Sequence, residues 1–302
     1  MRRFPLFLFS VCGLAANSDF TGRWNIKAVN HPRARVWWLE ISAGSPPRGR
    51  FVSALRGDLN VVDNLAIHDG ELSFSFVNNE GQKLEYRARR EGDELRGVHT
   101  GPDGRIDFVG RRAPVIQDQD DGSWKRGKPV KLFNGKDLGG WRAMIPGKEL
   151  GWKARDGLLT NMPKANNLVS TEKFWNFELH AEYRLREDSN SGIGLRGRYE
   201  IQIQDDYGKP CDSHCHGALY SRVAPSVNAS RKPGEWQTLD VRLVGLTLTV
   251  TLNGRKILDR VEVEGLTAMA SDADEALPGP ITVQGDHREV EFRSMVVTPL
   301  VK

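Results

Sequence analysis

The feature that most constrains this chain is an alternation of apolar and polar residues with a period of two, broken at short intervals by turn sequences. Stretches such as "ELSFSF" (71–76), "LEYRARR" (84–90), "FELHAEYRL" (177–185) and "LTLTVTLNG" (246–254) carry it, and "HDGE", "EGDE" and "LNGR" separate the runs. Side chains of a strand point to opposite faces in turn, so this pattern builds half-buried strands joined by tight turns. Only Ala268–Ala276 offers a modest helical pattern. The expected fold class is all-β.

Composition sets the rest of the frame. The 302 residues, 39% of them hydrophobic, are enough for one large or two modest cores. The net charge of +4 is dispersed along the chain, and aromatic residues do not interleave with basic ones, so no nucleic acid is expected as a partner. "MRRFPLFLFSVCGLAANS" has two arginines, a short apolar run and small residues at Gly13, Ala15 and Ala16. That is the layout of a signal peptide over residues 1–18, which implies export to the periplasm or the exterior. An uncleaved N-terminal helix is the alternative. The run is too short to span a bilayer, and no other segment approaches that length.

The polar, unpatterned stretch "PVIQDQDDGSWKRGKP" marks a linker over 114–129. Residues 19–113 then form a small all-β unit of seven or eight strands. Its "FTGRW" (Phe20–Trp24) resembles the Gly-x-Trp opening of lipocalin-like barrels. A closed barrel or meander is expected, because closure removes exposed edges. Trp37 and Trp38 are adjacent, so one points inward and the other outward, either as rim packing or as a sugar-stacking platform. Residues 130–302 hold about a dozen strand-like segments, which fits two stacked antiparallel sheets, a jelly roll.

Candidate chemistry concentrates in "GIGLRGRYEIQIQD" (192–205), read as one strand with Ile193, Leu195, Tyr199, Ile201 and Ile203 on one face. Arg196, Arg198, Glu200 and Gln202 on the other face suit recognition of a hydroxyl-rich ligand. The strand 176–188 shows the same split. If the two pair, Glu182 and Glu200 share a groove, and paired carboxylates serve acid/base work on glycosidic bonds. A salt-bridge lattice on an exposed sheet explains the same residues without chemistry. "CDSHCHG" (211–217) reads as a Cys211–Cys215 disulfide in an oxidising compartment, as a metal site, or as free thiols. His287, beside Asp286 at a turn, is either a general base or an ordinary turn histidine.

Several stretches occur in an order that resembles the 3-keto-disaccharide hydrolase family: "VKLFNGKDLGGW" (130–141), "DGLLT", "FELHAEYRL", "NSGIGLRGRYEIQIQDDYG", "GALY", "PGEWQTLDV", "VTLNGRKILD" and "GPITVQGDHREVEFRSMVVTP". The resemblance covers nearly all of 130–300 and implies a concanavalin A-like jelly roll acting on glycosides oxidised to a ketone at carbon 3. Such a ketone makes the carbon 2 proton removable, so the expected route is proton abstraction, loss of the carbon 1 substituent and hydration. In that scheme Arg196 stabilises the oxyanion, Glu200 or His287 is the base, and Glu182 or Asp205 is the acid or its support. Arg198, Gln202, Asp205, Tyr207 and Asn228 hold the sugar. No cofactor is required by any spacing; a divalent cation on Glu200, Asp205 and His287 is the alternative electrophile. A lectin-like binding module, a two-carboxylate glycoside hydrolase, and a surface interaction protein with a degenerate catalytic half are competing readings. The oligomeric state is not legible.

Overall fold

The computed structural model describes residues 19–31, 35–54, 57–78 and 80–302. The signal-peptide reading of residues 1–18 lies outside them. All regular structure among the described residues is β, in three antiparallel sheets. The segment Ala268–Ala276 forms turns rather than a helix.

Nine strands between Gly22 and Arg112 form the first sheet, not seven or eight. Its order runs from Leu59–Val62 at one edge, through Arg48–Ser53, Val36–Ser42 and Gly22–Ala28, to Gly104–Arg112 and beyond. Glu94–Gly101, Lys83–Glu91 and Glu71–Val77 follow, and Ala66–His68 is the far edge. The two edge strands are consecutive in the chain, so the three residues between them oblige the sheet to curl back on itself. Asn64 in that connection donates at 2.7 Å to the carbonyl of Ser75, in the strand beside the far edge; among the described residues no ladder pairs the two edges, so the barrel is open along that seam rather than closed. The interior is filled by Trp24, Trp37, Phe51, Phe74, Tyr86 and Phe108, which leave no room for a ligand. Trp24 of the "FTGRW" motif donates its indole N–H to Phe20 O at 2.8 Å and lies under the Arg112 guanidinium.

The other two sheets face each other as a sandwich. The outer, nine-stranded sheet is centred on Val290–Val301, Phe177–Leu185 and Trp236–Val244. The inner sheet has five strands: Trp141–Ala143, Leu168–Phe174, Gly279–Val283, Asn190–Leu195 and Tyr199–Gln204. Their shared core takes alternate residues from each side, such as Leu179, Ala181 and Tyr183 against Ile193, Ile201 and Ile281. This is the jelly roll expected from the alternation.

Barrel and sandwich are packed together. Val36, Trp38, Val52 and Ala54 of the barrel form one buried cluster with Leu266, Ala270 and Ala273 of the sandwich. Gly265, with φ 60°, has room for no side chain: a Cβ there would lie 2.5 Å from the Trp38 ring. The outward tryptophan of the pair is thus spent on packing, and Trp37 points into the barrel. Arg50 bridges Glu264 at 3.0 Å across the same seam. The polar stretch 114–129 is also fastened, with Asp118 accepting from Trp175 and Asn176, and Asp120 paired with Arg242 at 2.8 Å.

Candidate active site

The stretch 192–205 is a hairpin, not one strand. Asn190–Leu195 turns at Arg196 and Gly197, both with positive φ (54° and 65°), and returns as Tyr199–Gln204. The register pairs odd positions with odd, Ile193 with Ile201 and Leu195 with Tyr199, so the apolar face survives the turn. The even face carries Glu200 and Gln202 opposite Gly194 and Gly192.

That even face is the floor of a cavity of 380 Å³ between the sandwich and the barrel. Glu200 is 1% exposed. Its N–H donates to Thr267 Oγ1 at 2.7 Å and its carbonyl accepts from Tyr220 N at 3.0 Å, so the backbone is fixed on both sides. The carboxyl oxygen Oε2 has no partner. Burial, with the nearby Asp286 charge adding to it, pushes the Glu200 carboxyl up to about 8. Gln202 Oε1 and Gln284 Oε1, which also line the cavity, are likewise buried without partners. Buried polar groups are normally bonded, so a row of unsatisfied ones marks a surface prepared for something else.

The cavity's rim comes from the loop after Gly279–Val283. His287 Nδ1 lies 2.9 Å from Asp286 Oδ1, and this carboxylate raises the imidazole above its ordinary value. The loop is held by Asn167 Oδ1, which accepts from Gly285 N at 2.8 Å, and by Asn161, which donates to Gly285 O and Arg288 O. Gly285 is required there, since a Cβ would meet Asn166 O and the Trp152 indole at 2.6 Å. Asn167, Asn190 and Tyr220 complete the sandwich side, and Arg35 and Ser53 of the barrel stand opposite.

Of the sequence-predicted site residues, the structure brings together Glu200, Gln202 and His287. Arg196 is elsewhere: its guanidinium donates to Trp175 O, to Gly245 O at 2.8 Å and to Asn176 Oδ1 at 3.1 Å, stacked 4.1 Å from the Trp175 ring. Burial lowers it to about 10. It locks the hairpin tip, and so does Arg198, which donates to Leu277 O and the Asp272 carboxylate. The turn removes both from the face that Glu200 occupies. Glu182 belongs to the outer sheet, because Phe177–Leu185 pairs with Trp236–Val244 and Val290–Val301 and not with the hairpin. There it binds Arg293 and His180 in a surface lattice that lowers its carboxyl.

Asp205 accepts from Asp188 N at 2.9 Å, Tyr207 is 49% exposed, and Asn228 staples a loop through Asp206 O and Lys209 O. None of these three lines the cavity. The proposed cation ligands Glu200, Asp205 and His287 therefore do not converge, and among the described residues no other His/Cys/Asp/Glu group is gathered for a metal. Cys211 and Cys215 are free thiols, not a disulfide. Burial of Cys215 and the adjacent Cys211 hold its thiol protonated, up to about 12, and a thiol in that state does not attack. His216, lowered to about 4 by burial, shares a hydrogen bond of 2.5 Å with the Tyr183 hydroxyl, and His214 faces Asp58 of the barrel. This loop buttresses the site strand: Gln202 N donates to Ala218 O and Gly217 N to Gln202 O.

Sequence reasoning missed Gln284, Asn167, Asn190, Tyr220 and Arg35. Asn190 and Gln284 were within reach of a parity argument, since each continues the even face of its strand. Arg35 gave no signal, because only the packing of barrel on sandwich takes it to the cavity.

A family model described as the 3-keto-alpha-glucoside-1,2-lyase-like domain matches residues 128–298, more than half of the chain. The chain belongs to this family. A search of curated proteins gave no match. Among solved structures, a Parabacteroides distasonis protein provisionally assigned as a glycosyl hydrolase is 27% identical, with a TM-score of 0.50 over 62% of this chain and 91% of that one. A second protein from that organism with the same provisional assignment is 21% identical, with a TM-score of 0.48 over 57% and 94%. The family match and the 27%-identical neighbour give the chain a carbohydrate-active role of glycosidase type. The barrel lies outside the matched residues.

Proposed function

We propose that this protein cleaves 3-keto-glycosides by elimination across carbons 1 and 2. The observation that carries the reading is Glu200, a buried carboxyl with one unpartnered oxygen on the cavity floor, in a cavity that also holds the His287–Asp286 pair. A carboxylate that resists ionisation in its site is a strong base once ionised, and the proton on carbon 2 is acidic because the neighbouring ketone accepts the electron pair. Glu200 takes that proton, and the pair moves through the enolate to form the C1=C2 bond. The C1–O bond breaks, and His287, kept protonated by Asp286, donates a proton to the departing oxygen. Addition of water to the resulting enone completes a net hydrolysis. Gln202, Gln284 and Asn190 would hold the sugar hydroxyls, and amide hydrogen bonds to the ketone oxygen would favour the enolate.

A second reading has its own observation. Glu200, whose carboxyl burial holds protonated, and Asp286 line one cavity, so two carboxyls are available, as in ordinary glycoside hydrolysis. One experiment separates the two. A 3-keto-glucoside and its unoxidised parent are offered to the wild type and to Glu200→Gln. Elimination predicts release from the ketone alone, lost in the variant; cleavage of the parent selects ordinary hydrolysis. Export belongs to the same proposal, rests on residues 1–18, and is checked by fractionating cells that express the full chain.

A further inference from the structure

Ile201 bridges Leu219 in antiparallel register, and Tyr220 N donates to Glu200 O at 3.0 Å. Glu200 and Tyr220 are therefore directly opposite each other, with side chains on one face and Cβ atoms about 5 Å apart. Both line the main cavity. A phenol extends further from its Cβ than a carboxyl does, so Tyr220 reaches substrate atoms that Glu200 cannot. The ring is held from behind by His214, which meets it edge-on with ring centres 4.9 Å apart at 87°. His214 Nε2 in turn lies 3.2 Å from Asp58 Oδ1 of the barrel, and Leu59 N donates to Ser221 Oγ at 3.3 Å. The Tyr220 hydroxyl makes no hydrogen bond with any described residue and is not closed off from solvent. A tyrosine hydroxyl set into a protein usually finds a partner. Burial, with the charges of Asp58 and Glu200 adding to it, raises the phenol above its ordinary value and keeps it a donor.

We infer that Tyr220 is a catalytic residue of this site, its hydroxyl donating to the oxygen at carbon 3 as the enolate forms. The inference rests on the elimination reading, which puts a negative charge on that oxygen. The arginines of the hairpin do not meet this charge, because Arg196 and Arg198 are bonded at the tip, and Arg35 is paired with Asp103 at 2.7 Å. Glu200 takes the carbon 2 proton, and the electron pair of that C–H bond is delocalised onto the carbon 3 oxygen. The Tyr220 O–H bond stays intact and donates to it. The pair then returns to form C1=C2 as the C1–O bond breaks. A phenol is a more acidic donor than the amides of Gln202 and Gln284. The apolar wall of Met144, Ile145 and Met269 keeps the local dielectric low, so this hydrogen bond strengthens most as charge builds.

The test uses the full chain and Tyr220→Phe, which removes only an oxygen that bonds no described residue and so spares the fold. With a 3-keto-glucoside the variant should lose about 100-fold in kcat, with KM changed less than about threefold. The 3-ketone of 1,5-anhydroglucitol lacks the glycosidic bond, so exchange of its carbon 2 proton with solvent deuterium reports enolate formation alone. That exchange should slow by a similar factor. A kcat equal to that of the wild type, a loss carried by KM alone, or exchange as fast in the variant as in the wild type would overturn the role. If the wild type acts on neither ketone, the elimination reading fails, and calorimetry of methyl glucoside and its 3-deoxy analogue decides the contact. Binding of the first about tenfold more tightly, with the difference lost in Tyr220→Phe, keeps Tyr220 on the carbon 3 oxygen. No binding, no difference in the wild type, or a difference kept in the variant overturns that contact as well.

Discussion

Gly192 lies diagonally across the hairpin from Glu200, and a Cβ at position 192 would fall 2.2 Å from Glu200 Oε1. The carboxyl occupies the space a side chain would take. Gly194 is similarly constrained, since its Cβ would meet Thr282 Oγ1 at 2.1 Å. Gly192 thus clears the cavity floor for Glu200, and Gly194 makes room for Thr282.

Gly192→Ala should accordingly displace the carboxyl without unfolding the sandwich. The expected result is a loss of about 100-fold in kcat/KM, as for misplaced catalytic groups, with the far-ultraviolet circular dichroism of the wild type. Wild-type activity in this variant would mean that the position of Glu200 is not critical.

Replacing Glu200 by Gln should stabilise the protein while removing activity. Its folded value, about 8, stands above the unfolded one near 4.5. The folded state therefore binds more protons between those values, and stability contributed by the protonated form is lost as pH rises through about 8. The neutral amide avoids that loss. At pH 9 the variant should melt clearly higher than the wild type, and the difference should vanish near pH 4.

Asp286 raises both Glu200 and His287, so one substitution moves both limbs of the pH profile in the same direction. In Asp286→Asn both limbs of the kcat/KM profile, which report Glu200 and His287 together, should move acidward. A profile that keeps its midpoints would show that the Asp286 charge does not tune the site.

Arg196→Ala should act on stability. The loss of four buried interactions at the hairpin tip should cost about 2–4 kcal/mol, measured by denaturant midpoint, while KM for substrate changes little. A selective kcat effect at full stability would return Arg196 to the reaction.

The sequence alone shows the sandwich because period-two alternation reports which face is buried, and a register pairing odd with odd carries that alternation through the 196–197 turn. For the same reason the turn itself is hidden. Arg196 and Arg198 keep the parity of Glu200, yet the reversal of the chain sends them to the packed tip. Pairing partners are equally opaque: nothing in "FELHAEYRL" says that its neighbours are Trp236–Val244 and Val290–Val301, so Glu182 looks like a companion to Glu200. Glu200 and Gln202 are recoverable because their strand runs directly into the cavity, and His287 because the short loop after Gly279–Val283 carries it to the rim. The barrel's contribution is not, since Arg35 gains its place only through the packing of Trp38 on Gly265.

The central claim is that Glu200 removes a proton from carbon 2. The most direct measurement is aglycone release from a 3-keto-glucoside carrying deuterium at carbon 2, compared with the protonated substrate, under single-turnover conditions. Release slowed severalfold by deuterium in the wild type, with none in Glu200→Gln, is the predicted result. Release at the same rate from both isotopologues, or undiminished release by Glu200→Gln, would contradict it.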